Sequence, residues 1–340
     1  MHPTDSSSSR LAPSRRRFLT ISASAATLAL MPGAGFAAAP VHRWRGAGLG
    51  ADAAILLAHP DERQAQRIFA LCEGEIARLE KIFSLFRDDS ALSRLNRDGR
   101  LAAPPLEMVS LLSTAARVHE ASQGAFDPTV QPLWALYATH YAARPGAAGG
   151  PGRAAIDAAL RSVGWHHVAV DPAEIRFARP GMALTLNGIA QGYVTDRIAD
   201  LLAAEGMENV LVDIGEIRAL GHAPDGSTWP VTIRPGGRHN LPDTKIGLAS
   251  RALATTAATG TCFDAAGRVG HVLDPRSGNP VTANLAASAF AASAAIADGL
   301  STAAIALTPA QAGKAVSRFP NAGLRLVGSD RTARVFGVTA

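Results

Sequence analysis

The stretch TLNGIAQGYVTDRIADLLAAEGMENVLVDIGE, residues 185–216, decides how the rest of the chain is interpreted. Gly188 and Gly192 open a run of apolar residues at helical spacing, Gly206 closes it, and the apolar run 210–214 follows. This order predicts a glycine-broken turn, a helix and a buried strand. Glycines let the backbone approach a bulky anion, and the first turn of a helix offers unpaired N–H groups. The stretch therefore predicts a phosphate cradle, although a purely structural turn before a helix has the same pattern.

Length and composition favour a soluble globular protein of one or two domains. The chain has 340 residues, of which 47% are hydrophobic, so a sizeable core is expected. After residue 39 there is no uncharged apolar run of about 18 residues, the length typical of a membrane-spanning helix. Of the net charge of +5, four arginines and one aspartate in residues 1–39 account for +3, which leaves +2 for the remainder. That balance, without a basic stripe interleaved with aromatics, argues against nucleic acid as a partner.

The N-terminal segment has the pattern of an export signal. Residues 14–20 read SRRRFLT, the weakly apolar run 21–31 follows, and three alanines at 37–39 suit a cleavage end. This is typical of a twin-arginine signal, whereas a solvated basic tail would not explain the apolar run and the alanines together. We therefore expect a signal peptide over residues 1–39, a single mature unit over residues 40–340, the twin-arginine export machinery as a partner and a periplasmic location.

The two cysteines, Cys72 and Cys262, do not have the spacing of a metal finger or a disulfide framework. A single bridge is possible in an oxidising compartment. Buried free thiols are the favoured interpretation.

A second site is indicated near the C-terminus. Residues 291–307 read AASAAIADGLSTAAIAL, which predicts an alanine-rich helix with a single charge, Asp298, and with Thr302 one turn further on the same face. A lone carboxylate in an apolar helix is costly unless it is paired or binds a cation. Asp298 and Thr302 offer two hard oxygen ligands that suit Mg²⁺. The alternative is that Asp298 bonds a backbone amide.

Two loops carry further polar side chains. Residues 271–280, HVLDPRSGNP, place an imidazole, a carboxylate and a guanidinium in a loop fixed by prolines, which favours a functional interpretation. Pro128 restricts the residue before it to extended conformations, so Asp127 is expected to be presented on a loop and not buried in a helix.

With these residues placed, the chain resembles the ApbE family of periplasmic FAD:protein FMN transferases. The likeness spans nearly the whole mature chain and rests on six segments that follow the order of the family. They are SALSRLN (90–96), GAFDPTVQPL (124–133), LNGIAQGYVTDRIADLL (186–202), NVLVDIGE (209–216), HVLDPRSGNPV (271–281) and ADGLSTA (297–303).

The resemblance implies a fold and an activity. The fold would be an α+β fold built from two intertwined α/β halves, with FAD in the cleft between them. The activity would be Mg²⁺-dependent transfer of FMN from FAD to a Thr or Ser hydroxyl of a periplasmic or membrane redox protein, with release of AMP. The partner would be an acceptor flavoprotein, of which a membrane electron-transfer subunit is the usual kind.

The resemblance also implies roles for individual residues. Metal ligation falls to Gly188, through its carbonyl, and to Asp298 and Thr302, with Ser301 adjacent. The catalytic candidates are Asp298, through the metal, and His271, which would orient or accept the proton of the acceptor hydroxyl. Asp274 competes with His271 for that task, and a satisfied loop histidine is the other interpretation of His271. The FAD-contacting candidates are Leu49, Phe86, Ala125, Phe126, Asp127, Thr185, Gln191 and His271.

The chain departs from the family pattern at four places. Thr185 stands where the family usually has Asp, Gln191 where it has Lys, Leu49 where it has Met, and Thr256-Ala257 near a usual Ser-Gly pair. The loss of a cation at Gln191 would lower FAD affinity or turnover. The Gln191 and Thr185 departures favour one alternative, a non-catalytic FAD-binding accessory protein for the maturation of a redox complex. A second alternative is an FAD pyrophosphatase, in which water replaces the acceptor hydroxyl and FMN and AMP are formed.

Overall fold

The computed structural model describes residues 39–339, so all but the last residue of the predicted signal peptide lies outside the described part. Within residues 39–339 no helix is long and apolar enough to cross a membrane. The strands are β1 Val41–Gly48, β2 Ala51–Ala58, β3 Arg100–Ala102, β4 Val168–Val170, β5 Glu174–Phe177, β6 Val210–Ile214, β7 Ile217–Leu220, β8 Trp229–Ile233, β9 Thr244–Leu248, β10 Ala252–Ala257, β11 Asn284–Ala291, β12 Gly323–Gly328 and β13 Ala333–Gly337. The α-helices are α1 Glu62–Phe83, α2 Ala91–Asp98, α3 Leu106–Ala121, α4 Gln131–Ala143, α5 Arg153–Leu160, α6 Ala190–Ala204, α7 Ala294–Ile305 and α8 Pro309–Val316.

An antiparallel sheet of eight strands, in the order β1-β2-β6-β7-β10-β11-β12-β13, organises the fold. Its two halves meet where β7 pairs with β10, through the residue pairs Arg218–Ala252 and Ile217–Leu253. Helix α6 leads into the first half at β6, and α7 and α8 connect β11 to β12 in the second. This mixed architecture of two joined α/β halves confirms the predicted α+β fold class.

The sheet is covered on both faces. Alternation along β2 turns Ala53, Ile55 and Leu57 inward, where they join the main core with the buried faces of α1, α6 and α7. On the opposite face, the hairpin of β8 and β9 packs its buried Trp229 and Val231 against the sheet in a separate cluster. Helices α6 and α7 lie side by side in the main core and contact each other directly.

The stretch 185–216 folds as predicted. The helix α6 ends just before Gly206, whose φ of +82° belongs to the left-handed region that glycine adopts without strain. Strand β6, Val210–Ile214, is buried along its whole length. The local signals of this segment therefore agree with its tertiary environment.

The helix predicted over residues 291–307 begins later than expected. Ala291 is the last residue of β11, and Ser293 is the N-cap of α7, with its hydroxyl accepting from the Ile296 N–H at 3.3 Å. Strand β11 is buried on both faces, so its small residues show no periodicity. Pairing with β10 and β12 overrides the helix propensity of its alanines.

Both cysteines are free thiols, as the favoured interpretation predicted. Cys72 lies in the core, and burial raises the pKa of its thiol to about 12. Cys262 is half-buried, and burial also raises its pKa.

Candidate functional site

The glycine-broken turn before α6 lies directly against α7. A Cβ atom placed on Gly188 would be 2.8 Å from the hydroxyl oxygen of Thr302 and 2.9 Å from its methyl carbon. Any larger residue would therefore separate the two segments. The absence of a side chain at Gly188 lets the backbone before α6 lie next to the Thr302 hydroxyl of α7, as the predicted metal site requires.

Gly192 serves the contact between the two helices. A Cβ atom at this position would lie 2.3 Å from the carbonyl oxygen of Ala294. The Gly192 N–H donates to Oδ2 of Asp298 at 3.1 Å. The second glycine of the predicted cradle is thus required by helix packing and joins α6 to the candidate metal ligand.

Asp298 is a buried carboxylate with little compensation. Its exposed fraction is 2%, and within residues 39–339 its carboxylate accepts one hydrogen bond, from Gly192, and forms no salt bridge. Burial raises the pKa of Asp298 to about 7, the hydrogen bond from Gly192 opposes that shift, and the charge of Asp196 adds to it. The predicted alternative, a bond to a backbone amide, is therefore present. One such bond leaves most of the cost of a buried charge unmet.

Three hydroxyl groups lie beside Asp298. The Thr256 hydroxyl of β10 is 2.7 Å from that of Ser301 and 3.4 Å from that of Thr302. Ser301 donates to the backbone carbonyl of Asp298 at 3.0 Å, so its hydroxyl is engaged within the helix. Thr302 is half-buried and faces Gly188, which makes it the better placed ligand of the two. Sequence reasoning noted Thr256 only as a departure from the family, because its neighbours are more than 40 positions away.

The predicted metal ligands are thus brought together, and they fit Mg²⁺. The donors that Gly188, Asp298 and Thr302 offer are a carbonyl, a carboxylate and a hydroxyl, all hard oxygens. Within the described residues no group of three or more His, Cys, Asp or Glu side chains is arranged to hold a metal. A cation here would therefore depend on one carboxylate supported by neutral oxygens.

A second buried carboxylate, Glu216, stands close to this group and was not singled out from the sequence. Its exposed fraction is 6%, and Oε2 accepts from the Thr255 N–H at 3.2 Å. Burial raises the pKa of Glu216, and repulsion from Asp298 raises it further. Glu216 lies between β6 and β7 and Asp298 lies on α7, and local sequence patterns do not reveal such pairs.

His271 is held as a neutral base. Its Nδ1 lies 3.0 Å from the carbonyl oxygen of Thr261, which can only accept, so Nδ1 carries the hydrogen and Nε2 is the acceptor. Burial lowers the pKa of His271, while the hydrogen bond to Thr261 opposes the shift. The residue is a satisfied loop histidine at Nδ1 and keeps a basic nitrogen at Nε2.

Asp274 is the weaker candidate for the base. The guanidinium of Arg276 donates to both of its carboxylate oxygens at 2.9 Å. Burial favours the protonated carboxyl, but the hydrogen bonds from Arg276 outweigh it and lower the pKa. Arg276 also donates to the Ala306 carbonyl at 2.9 Å, which ties this loop to the end of α7. Of the two predicted candidates, His271 is therefore the one with proton affinity to use.

The FAD-contacting candidates of the first half are held very differently from one another. Leu49 has a φ of 49°, and its N–H donates to Oε1 of Glu80 at 2.9 Å. Ala125 and Phe126 are buried in the main core, each with an exposed fraction of 5%. Phe86 is 64% exposed. Among these side chains, Phe86 has the most surface to offer a ligand.

Asp127 lies on a loop and not in a helix, as predicted, but its side chain is not presented to solvent. The residue does precede a 3₁₀ turn, but it is 7% exposed. Its carboxylate accepts from the Thr129 N–H at 2.8 Å, from the Thr129 hydroxyl at 2.6 Å and from the Trp165 N–H at 3.1 Å. These donors turn the carboxylate inward, so the side chain supports the loop.

Thr185 and Gln191 border the same region. The Thr185 N–H donates to the Pro128 carbonyl at 2.8 Å, which joins the glycine stretch to the segment that contains Asp127. The Gln191 amide covers Gly215, where a Cβ atom would lie 2.8 Å from the amide carbon. The position at which the resemblance implies a cation is thus filled here by a neutral side chain packed on a turn.

The chain is similar to known proteins over most of its length. The ApbE family model matches residues 49–324. A protein from Salmonella typhimurium named FAD:protein FMN transferase is 29% identical over 268 residues, 76% of each chain. One of the same name from Vibrio cholerae is 30% identical over 225 residues, 64% of this chain and 67% of the relative. The solved apo flavinyl transferase ApbE of Pseudomonas stutzeri superposes with a TM-score of 0.73 at 26% identity over 88% of this chain and 94% of that one. The chain belongs to the ApbE family.

Proposed function

We propose that this chain transfers FMN from FAD to a Thr or Ser hydroxyl of a partner protein in a Mg²⁺-dependent reaction that releases AMP. Family membership supports flavin transfer from FAD to a protein, since the relatives carry that activity in their names. The observation that carries the finer proposal is the buried Asp298 carboxylate beside Thr302 and the Gly188 backbone. A cation at this point would supply the countercharge that the carboxylate lacks.

In the proposed reaction the acceptor oxygen attacks the phosphorus of the FMN moiety. A new P–O bond forms there, the pyrophosphate P–O bond to AMP breaks, and AMP leaves with the bonding electrons. Mg²⁺, when bound, neutralises phosphate charge in the transition state. Asp298, Thr302 and the Gly188 carbonyl are the residues that would hold it.

The acceptor hydroxyl loses its proton as it attacks, and His271 is the proposed base. Its Nε2 is the acceptor nitrogen, because Nδ1 donates to the Thr261 carbonyl. The same hydrogen bond fixes the orientation and tautomer of the ring. FAD itself would contact Thr185, Gln191 and His271 on one side of the site. On the other side the proposed contacts are the side chains of Leu49 and Phe86 and the backbone of residues 125–127.

The proposal includes export. The twin-arginine pattern in residues 1–39 supports delivery of the folded chain to the periplasm. The expected acceptor is then a membrane electron-transfer subunit with its target hydroxyl on the periplasmic side. Co-expression with candidate acceptors, followed by mass spectrometry, would detect an added FMN on a Thr or Ser.

The direct test incubates the chain with FAD, Mg²⁺ and an acceptor flavoprotein and follows covalent flavin by in-gel fluorescence. We expect labelling that needs both FAD and Mg²⁺ and that is matched by released AMP. AMP and free FMN without labelled acceptor would show a pyrophosphatase instead.

One observation keeps a second candidate open. The neutral Gln191 packs on Gly215 where the family pattern has a cation, which weakens the case for fast pyrophosphate chemistry. An accessory protein that binds and delivers FAD would tolerate this change. FAD that co-purifies without AMP or labelled acceptor, with Mg²⁺ present, would favour that function.

A further inference from the structure

Asp196 on α6 is a buried carboxylate bound to the start of α7. Its exposed fraction is 8%. It accepts from the Ser293 hydroxyl at 2.6 Å, from the Ala294 N–H at 2.8 Å and from the Ala295 N–H at 3.0 Å. On its other side, Arg218 donates to it at 2.9 Å. The carboxylate therefore joins α6, α7 and β7.

The chemistry of a helix start explains this contact. The first N–H groups of a helix have no partner within it and form the positive end of its dipole. Ser293 satisfies one of them from within the chain, at Ile296. Asp196 satisfies those of Ala294 and Ala295 from a different helix, almost 100 positions away. A cap from another element fixes the position of α7 as well as its start.

The geometry connects this cap to the metal candidates. Gly192 and Asp196 are one turn apart on α6, and Ala294 and Asp298 are one turn apart on α7, so each pair shares a helix face. Gly192 meets Asp298 through its N–H, and Asp196 meets Ala294 through its carboxylate. The two contacts together set the spacing between the helices.

We propose that Asp196 is a positioning residue for the metal site. It holds the α6 segment that presents the Gly188 carbonyl against the α7 segment that presents Asp298 and Thr302. The inference rests on the proposed function, because it adds to the proposed metal site a residue, Asp196, that the family resemblance does not include. Its specific consequence is that Asp196 governs metal affinity more than turnover at saturating metal.

The chain offers a matched control on the same helix. Asp200 is one turn after Asp196 and accepts from the same Arg218 nitrogen, at 3.1 Å, but it is exposed. Asp196→Asn puts an N–H group against N–H groups of α7, whereas Asp200→Asn leaves α7 untouched. Both changes remove one negative charge. Because the charge of Asp196 also acts on Asp298, Ser293→Ala, which keeps that charge, is the second control. A difference between the Asp196 and Asp200 variants that Ser293→Ala shares in part reports the helix contact.

The test measures metal affinity in two ways, by the Mg²⁺ dependence of flavin transfer and by Mn²⁺ binding followed by electron paramagnetic resonance with FAD present. For Asp196→Asn we expect both constants to weaken by about tenfold or more, as with other residues that orient metal ligands. Its kcat at saturating Mg²⁺ should stay within about threefold of wild type, because a positioning residue does not touch the reacting atoms. Asp200→Asn should match the wild type.

A milder variant guards against misfolding. Ser293→Ala removes one of the bonds to Asp196 and should weaken Mn²⁺ binding by a smaller factor. Unchanged Mn²⁺ affinity in folded Asp196→Asn, or equal losses in the Asp196 and Asp200 variants, would overturn the inference. If the wild type binds Mn²⁺ but transfers no flavin, the proposed function fails while the positioning role is still tested by the binding data.

Discussion

Two regions of the candidate site treat a buried carboxylate in opposite ways. We call the contact between Gly188, Gly192 and residues 298–302 the helix wall, and residues 125–129 the loop wall. In the helix wall, Asp298 is 2% exposed and its carboxylate accepts one hydrogen bond within the described residues. In the loop wall, Asp127 is 7% exposed and accepts three hydrogen bonds, two of them from Thr129.

The difference separates function from support. A buried carboxylate with several donors is satisfied by the fold and stabilises it. A buried carboxylate with a single donor destabilises the folded state. Such residues concentrate at functional sites, where a ligand supplies the missing charge. Both acids occur in family segments, so the sequence did not distinguish them. The number of their donors does.

The largest effect is expected from Asp298→Asn. The amide oxygen can still accept from Gly192, so the helix contact is kept while the charge is lost. We expect flavin transfer to fall at least ~100-fold, since metal countercharge contributes several kcal/mol and each 1.36 kcal/mol is a factor of ten. The assay is the rate of in-gel flavin labelling at saturating FAD and Mg²⁺.

The stability of Asp298→Asn provides the contrast. A carboxyl whose pKa is raised by folding makes the native state lose stability as the pH rises from the ordinary pKa to the raised one, and the loss is complete above the raised pKa. With the pKa of Asp298 raised from 3.8 to about 7, metal-free protein should lose stability mainly between about pH 4 and about pH 7, and the variant should lose less. Thermal melts in a chelator at about pH 5 and about pH 8 measure this. A variant that labels at the wild-type rate would remove Asp298 from the metal site.

The next largest effect is expected from His271→Ala. Loss of a general base costs about 100-fold in kcat. Because burial lowers the pKa of His271, the imidazole stays neutral to a pH below its ordinary value of 6.5. The wild-type kcat should therefore fall only at pH values below 6.5, as His271 becomes protonated. The variant should lack this acid limb of the pH profile.

The pH profile of kcat measures this prediction, with the exposed His166→Ala as the control that keeps the acid limb. If His271→Ala keeps both the wild-type kcat and the fall in kcat at acid pH, another group is the general base. Asp274 is the one to examine next, although Arg276 holds its pKa low.

The sequence predicts a structural feature well when the residues that determine it are close together in the chain. The helix α6 and strand β6 were predicted because caps, glycines and apolar spacing are local signals. The fold class and the grouping of Gly188 with Asp298 and Thr302 followed from the resemblance, and the contacts agree with it.

What could not be predicted depends on contacts distant in sequence. The carboxylate of Asp127 is turned inward by the Trp165 N–H, 38 positions away, although the Pro128 signal next to it was read correctly as a loop. The first residue predicted for α7, Ala291, belongs to β11, since sheet pairing outweighed the propensity of alanine. Long-range partners, not local patterns, decided both.

A smaller effect is expected from Asp127→Asn. The wild-type carboxylate accepts from Thr129 and from Trp165. In the variant the NH₂ group of the amide faces one of these donors, so that donor loses its acceptor. The free energy of unfolding should fall by about 1–3 kcal/mol, the cost of an unsatisfied buried group. Urea denaturation measures it. The kcat of the folded variant should stay within about threefold of wild type, because the side chain supports the loop and does not touch the reacting groups.

This variant is the counterpart of Asp298→Asn. The variant in the helix wall, Asp298→Asn, should lose activity and keep stability. The variant in the loop wall, Asp127→Asn, should lose stability and keep activity. Loss of transfer by Asp127→Asn without loss of stability would contradict the comparison and assign its carboxylate to FAD.

The smallest effect is expected from Phe86→Ala, which tests whether the exposed ring belongs to the site. Phe86 is 64% exposed, so its removal should change the free energy of unfolding by less than about 0.5 kcal/mol. If FAD covers part of the ring, the lost apolar burial should raise KM for FAD roughly three- to tenfold with kcat unchanged. Leu106→Ala, at a residue that is 75% exposed and begins α3, is the control. An unchanged KM would separate Phe86 from the flavin and leave Leu49 as the apolar side chain proposed for this side of the site.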